Sequence, residues 1–240
     1  MGYFTHEFLI GARDIDANKQ ITDKALLGLF LDIGSLHSDA VGCGLAQIDE
    51  TNLSWVVMQW KVDITRRPVY GETVKIRTWL GATRKLYMYR QYEITNSSGE
   101  VLVRCNSQWV LMDLTKGAIN VPDWVVDGYG KEDELVFDEW KIPKLKEPEN
   151  PILEMDYKVP GSVIDVNGHM NNMYYIDVAA NMIPFEKLLN RKHKHFEIMY
   201  KKESTYGEIL KCKAYDTEEG DIFTMKTEDE KHIHAIVKFI

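Results

Sequence analysis

Hydrophobic and polar positions along the chain follow two periods. Ala25, Leu26, Leu29, Phe30 and Ile33 recur at the spacing of one helix face, after Thr22 as a natural N-cap and before an exit at Gly42 and Gly44. The run NMYYIDVAANMI (172–183) is apolar on nearly every side, starts at Asn171 or Asn172 and stops before Pro184. Such a run predicts a buried helix. After each helix the period changes to two. Val74, Ile76, Thr78 and Leu80 oppose Lys75, Arg77 and Trp79; Val101, Val103, Cys105, Ser107, Trp109 and Leu111 share a face, as do Ile233, Ala235, Val237 and Phe239. NSSGE (96–100) and EEGD (218–221) supply hairpin turns. Each half therefore reads as a strand, one buried helix and several antiparallel strands.

The two halves also match residue by residue. DANKQITD (16–23) lies over DVNGHMNN (165–172), placing Asp16 on Asp165, Asn18 on Asn167 and Gln20 on His169. Further on, RPVYGETVKIRTW (67–79) lies over ESTYGEILKCKAY (203–215), with Tyr70-Gly71-Glu72 on Tyr206-Gly207-Glu208. Between the copies, residues 127–151 are charged and carry Pro143, Pro148 and Pro151, the composition of a linker that Leu135, Val136, Phe137 and Trp140 could pin to a surface. The expected division is an N-terminal domain at 1–127, a linker at 128–155 and a C-terminal domain at 156–240.

Composition narrows the function classes. A hydrophobic fraction of 45% suits a chain that buries a core, and a net charge of -8 argues against general binding to nucleic acid. Cys43, Cys105 and Cys212 are scattered, which fits reduced thiols better than a disulfide framework. The opening residues lack a basic stretch followed by an apolar run, and no window approaches the roughly 18 apolar residues of a membrane span, so a cytoplasmic protein is expected. DIDANKQITDKA (14–25) imitates a calcium loop but has Lys19 where glycine is needed and Ala25 where the bidentate glutamate belongs. His193 with His195, and His232 with His234, form His-x-His pairs without further ligands at metal spacing; they read as solvent-facing strand-edge histidines, and no metal is expected.

The segment 165–172 carries the candidate chemistry. In an extended strand Asp165, Asn167 and His169 would share one face, and a helix starting at Asn171 or Asn172 would bring unpaired backbone N–H groups and a favourable dipole to the same point. That combination suits acyl transfer, where pre-aimed donors stabilise an oxyanion. Taken alone, Asn167-Gly168 is equally a turn dipeptide with His169 beside it on the surface. The repeat favours the first reading, because the first copy keeps the Asp-x-Asn spacing without the Asn-Gly pair.

A sheet wrapped around one helix, present twice, is the α+β hotdog fold in tandem. DVNGHMNNMYYID, with MYKKES about thirty residues on and SWVVMQWKVDITRRPVYGETVKIRTW in the first half, resembles the acyl-(acyl carrier protein) thioesterases of plants and bacteria. The resemblance implies hydrolysis of fatty acyl thioesters on acyl carrier protein, without a cofactor. It puts the essential glutamate at Glu203 and implicates Asp165, Asn167 and His169: Glu203 and His169 to activate water, Asn167 to position, Asp165 to fix its neighbours. Plant members often have cysteine where this chain has Ser204, which leaves that serine an auxiliary role. Gln20 over His169 and Arg67 over Glu203 imply one site per chain, with the first half shaping an acyl tunnel around Leu26, Leu29, Phe30, Trp55 and Met58. The basic residues Arg191, Lys192, Lys194, Lys201 and Lys202 are either a solvated face or a dock for the acidic carrier protein. Alternatives on the same fold are an acyl-CoA thioesterase, an enoyl-thioester hydratase and a non-catalytic acyl-binding module. Either a monomer or a homodimer would serve.

Overall fold

In the computed structural model, which describes residues 2–190 and 193–240, the chain divides into two units, Met1–Ile142 and Pro143–Ile240. Unit 1 contains β1 (Phe4–Leu9), α1 (Asp23–Val41), the short α2 (Ile48–Thr51), β2 (Leu53–Ile64), β3 (Thr73–Arg84), β4 (Tyr87–Thr95), β5 (Val101–Asp113), β6 (Gly117–Ile119) and α3 (Asp123–Tyr129). Its strands pair antiparallel in the order β1-β3-β4-β5-β2, with β6 on β5. The helix ends are those the sequence predicts. Thr22 Oγ1 accepts the Ala25 N–H at 3.1 Å, and Gly42 closes α1 in the left-handed conformation at φ 84°, a position that penalises any residue with a Cβ.

One face of α1 drives this unit together. Leu26, Leu27, Phe30 and Ile33 are fully buried, and Phe30 meets Tyr92 at 4.9 Å and Trp60 at 6.1 Å between ring centroids. Each such side chain contributes about 1.5–3 kcal/mol on burial. Of the residues expected to close an acyl tunnel, Leu26 and Phe30 are thus committed to the unit's own core, while Leu29, Trp55 and Met58 are half-buried.

The outer face of the same sheet is covered too. Val136 N–H donates to Gln91 Oε1 at 3.2 Å, Asn106 Nδ2 to the Trp140 carbonyl at 2.8 Å and Trp79 Nε1 to the Glu134 carbonyl at 2.8 Å; Trp140 sits edge-on to Tyr89 at 4.7 Å. Residues 131–142 are therefore a strap lying on unit 1. This covering is why Trp79 and Asn106 are buried although the alternation assigns them to an open face.

Unit 2 repeats the plan with β7 (Leu153–Lys158), α4 (Tyr174–Asn181), α5 (Phe185–Leu189), β8 (His195–Tyr200), β9 (Ile209–Thr217), β10 (Gly220–Lys226) and β11 (Ile233–Phe239). The order is β7-β9-β10-β11-β8, the order of unit 1 strand for strand. Tyr175, Ile176, Val178 and Ala179 bury one side of α4. On the outer face Met199, Tyr215, Ile222 and Ile236 cluster with Leu145, and Glu147 accepts from Tyr215 at 2.9 Å and from Lys226 at 3.1 Å. The segment expected as a linker thus lies on one unit's sheet up to residue 142 and on the other's from residue 143. Each unit is one sheet around one central helix, the tandem hotdog expected from the repeat.

Unit 1 also buries an ionisable pair. The His37 ring is fully buried between Phe4 and Tyr129, and its Nδ1 accepts from Arg90 Nη1 at 2.9 Å. Burial first, and the Arg90 charge second, hold His37 down at about 2. Because the folded value lies below the unfolded one, the unfolded chain takes up a proton that the folded chain refuses as pH falls below about 6.5. Stability is therefore complete above that pH and declines below it, by up to about 1.4 kcal/mol per pH unit from this residue. His37→Gln, which keeps an acceptor for Arg90 but cannot titrate, is expected to shrink the stability difference between pH 7 and pH 5 by about 1–2 kcal/mol in urea unfolding; an unchanged difference would refute the assignment.

Candidate active site

The two matched segments of the sequence fold alike. In unit 1, Ile15 bridges Ile21 around a turn in which Asp16 Oδ1 accepts the Asn18 N–H at 2.9 Å, and the returning Gln20 pairs with Val69. In unit 2, Ile164 bridges Met170, Asp165 Oδ1 accepts the Asn167 N–H at 2.8 Å, and His169 pairs with Thr205. The fourth position of each turn has positive φ, 60° at Lys19 and 78° at Gly168. Glycine adopts this backbone without steric cost, so Gly168 relieves a strain that Lys19 bears.

This turn corrects one expectation. Residues 165–169 are not an extended strand with three side chains on one face. Asp165 and His169 stand at the two ends of a turn closed by Asp165 N–H to the His169 carbonyl at 2.9 Å, and Asn167 is exposed at its tip. The Asn-Gly dipeptide behaves as its local chemistry favours, and the Asp165 carboxylate is what fixes the turn. The helix start differs as well. Asn171 takes the first two amides of the following turn, Met173 N–H on its side chain at 3.0 Å and Tyr174 N–H on its carbonyl at 2.9 Å, and α4 begins only at Tyr174. Those two amides are engaged, so oxyanion stabilisation does not fall to them.

The turn is laid against the loop 201–208. Met170 N–H donates to the Ser204 carbonyl at 2.8 Å beside the His169–Thr205 bridge. Facing residues of an antiparallel pair share a side, which puts His169 and Thr205 together, and Glu203 stands two residues before Thr205 in the same loop. Burial follows the alternation: Glu203 and Thr205 are exposed, Ser204 between them is fully buried. Extending the antiparallel register of that bridge by two residues makes Glu203 the diagonal position from the half-buried His169. Ser204 points the other way. Its Oγ lies 2.7 Å from Tyr175 Oη, whose proton burial holds up to about 12. Its hydroxyl serves packing beneath the loop.

The basic residues separate. Lys194 is exposed just before β8, and Lys201 and Lys202 are exposed just after it, with six strand residues between them that span about 20 Å. Arg191 and Lys192 lie outside the described residues. Of the histidine pairs, His195 faces Glu197 at 3.0 Å, whereas His234 corrects the expectation of solvent-facing rings. It is fully buried, with Nε2 3.0 Å from Glu208 Oε1 and Nδ1 3.2 Å from the Lys202 carbonyl. Sequence reasoning missed Tyr175, Glu208 and His234. The alternation of β11 did place His234 opposite Ala235 and Val237, but not the fact that both faces of that strand are covered.

The first copy shows what the same frame holds when these groups are replaced. Arg67, over Glu203, is buried, ion-paired through Nη2 with Asp23 Oδ1 at 2.7 Å and hydrogen-bonded through Nη1 to the Ile21 carbonyl at 3.1 Å. Asp23 in turn occupies the place of Asn172. A buried ion pair thus fills the point that in unit 2 carries a solvent-exposed carboxylate.

Comparison with known proteins agrees across the chain. The family model for the acyl-ACP thioesterase N-terminal domain matches residues 2–129, and that for the acyl-ACP thioesterase C-terminal domain matches residues 146–239. The chain is 26% identical over 234 residues to oleoyl-acyl carrier protein thioesterase 1, chloroplastic, of Arabidopsis thaliana, covering 90% of this chain and 64% of that protein. It is 24% identical over 225 residues to dodecanoyl-[acyl-carrier-protein] hydrolase, chloroplastic, of Umbellularia californica, covering 87% and 58%. It therefore spans less than two thirds of the length of these plant relatives. Its fold resembles the crystal structure of an acyl-ACP thioesterase from Bacteroides thetaiotaomicron, with a TM-score of 0.87 at 21% identity over 99% of this chain and 97% of that one.

Removing one member of the buried pair leaves the other charged in an apolar setting. Asp23→Ala is expected to cost about 3–5 kcal/mol in urea unfolding, and Asp23→Leu combined with Arg67→Met distinctly less. Equal losses in the two variants would show that the pair is not what holds this point.

Proposed function

The chain belongs to the acyl-ACP thioesterase family, and on that premise we propose that it hydrolyses fatty acyl thioesters on acyl carrier protein. Water adds to the thioester carbonyl, the C–S bond breaks, and the products are the free fatty acid and the carrier thiol. The leaving thiol has a pKa near ~8.5 against ~15.7 for water, so its departure needs little help and the demanding step is activation of water. Glu203 accepts the proton of that water, His169 orients the attacking oxygen, and the proton taken up by Glu203 passes on to the departing sulfur, so that both side chains end as they began. Asp165 holds the turn that carries His169. Asn167, exposed at the turn tip, contacts the thioester arm of the bound substrate.

The observation that carries this reading is the pairing of the His169 turn with the Glu203 loop. The same pairing exists in both units, but only the second presents an imidazole and a carboxylate on it. The plant relatives are named as thioesterases or hydrolases of acyl-acyl carrier protein, which selects hydrolysis over hydration as the chemistry. Lys201 and Lys202, exposed at the head of the same loop, supply a positive patch for an acidic carrier protein. The proposed compartment is the cytoplasm, in keeping with the buried free thiols of Cys43, Cys105 and Cys212. No single described helix is long and apolar enough to cross a membrane.

Release of free thiol from acyl carrier protein and coenzyme A thioesters of several chain lengths tests the reaction directly, with faster turnover expected on the carrier. Glu203→Ala and His169→Ala are each expected to lose at least ~10²-fold in kcat while remaining folded by circular dichroism; full activity in both would remove the assignment. Reversing the charge of Lys201 and Lys202 is expected to raise KM for carrier-bound substrate several-fold at low salt and to leave KM for the coenzyme A thioester near its original value. Identical kinetics on the carrier would eliminate the docking role.

A further inference from the structure

The repeat allows unit 1 to serve as a reference for unit 2, and one buried position breaks the match. In unit 1 the loop leading to β3 is tied to the sheet by Thr65 and Arg66 N–H groups donating to the Leu102 carbonyl at 2.9 and 3.2 Å. In unit 2 the same two donors are Lys201 and Lys202, and their acceptor is the His234 carbonyl, at 2.8 and 3.4 Å. His234 therefore stands where unit 1 has Leu102, and both side chains are fully buried. A core position that accepts leucine in one copy carries an imidazole in the copy with the candidate site. Burying a polar ring there is unfavourable unless its nitrogens find partners.

Nδ1 does, and Nε2 lies against a carboxylate without hydrogen-bond geometry; both neighbours belong to one loop. A backbone carbonyl can only accept, so His234 Nδ1 carries a proton and donates it to the Lys202 carbonyl at 3.2 Å. Nε2 faces Glu208 Oε1 at 3.0 Å, while the other oxygen of Glu208 accepts the Thr205 N–H at 3.0 Å. The loop 201–208 is thus gripped on both sides of Glu203, at Lys202 before it and at Thr205 after it. Unit 1 secures the equivalent loop differently: Arg66 Nη2 bonds the Glu72 carboxylate at 2.7 Å, Val69 N–H donates to Glu72 Oε2 at 3.0 Å, and no histidine is involved. In unit 2 the glutamate has kept its bond to the loop backbone and exchanged its arginine for a buried imidazole.

We infer that His234 and Glu208 form a clamp that sets the backbone position of Glu203, and that His234 is a positioning residue for the hydrolysis proposed above, on which this inference rests. The clamp leaves the Glu203 side chain exposed while the backbone on either side of it is held at Lys202 and Thr205. A base displaced by about 1 Å can lose ~10² in rate without any change in substrate binding, so the effect belongs in kcat and not in KM.

Two variants and two readouts test this. His234→Leu installs the residue of unit 1, which fits the core but cannot reach the Lys202 carbonyl or Glu208. His234→Asn restores a side-chain N–H close to the position of Nδ1. The expected result for His234→Leu is a kcat at least about tenfold lower with KM within about twofold, and hydrogen exchange several-fold faster in the segment 201–208 but not in α4. His234→Asn is expected to recover a large part of both. Full kcat in His234→Leu, or an equal loss in His234→Asn, would overturn the positioning role. Exchange is read on the full chain without substrate. If the wild-type protein released no thiol from any acyl thioester, the hydrolase reading would fall, while faster exchange in His234→Leu would still establish the clamp and unchanged exchange would overturn it.

Discussion

Burial of one helix in each unit is the constraint from which the rest follows. α1 cannot expose Leu26, Leu27, Phe30 and Ile33, nor α4 its Tyr175, Ile176, Val178 and Ala179, so a sheet must curve over each. Once the helix is placed, the turn that enters it is placed as well. That turn has unpaired backbone at its return strand, and the nearest available edge is the loop leading into β3 or β9. Gln20 on Val69 and His169 on Thr205 are the two outcomes of one requirement. The candidate chemistry sits at this junction because hydrophobic burial aligns two irregular segments there, and irregular segments supported by a rigid core are where side chains can be exchanged at little cost to the fold.

The two copies have used that freedom in opposite ways. Unit 1 closes its junction with the Asp23–Arg67 pair, buried at 2.7 Å, and secures the loop with Arg66 on Glu72. Unit 2 opens its junction, leaving Glu203 in solvent, and moves the polar contact inward, where His234 replaces Leu102 in the core. A charged pair on the surface side of the loop gives way to a buried ring beneath it, bonded through Nδ1 to the Lys202 carbonyl and lying against Glu208. An exposed carboxylate held by a buried support retains access to water while its backbone stays fixed, which is what a base for hydrolysis requires.

The architecture was largely legible because periodicity and capping act locally. The α1 stripe, its Thr22 cap and Gly42 exit, the hairpins at 96–100 and 218–221, and the repeat itself are all short-range signals, and the structure follows each of them. The spacing Asp165, Asn167, His169 predicts a strand because spacing two is common to a strand and to the two legs of a tight turn. Only the Ile164–Met170 bridge distinguishes them, and that pairing depends on Ser204 and Thr205 lying alongside. The basic residues read as one cluster because they are near in sequence, yet β8 carries Lys194 and Lys201 to opposite ends of a strand.

By itself, then, the sequence determined two copies of a helix-in-sheet unit and the residue types at their matched turns, since local periods and glycine positions report on local backbone. Which of those residues face solvent and which support them was decided by tertiary structure. Alternation along β11 could not show that His234 is buried, because the cover over its face comes from segments far away in the chain, and burial is a property of what covers a residue and not of the residue's own strand.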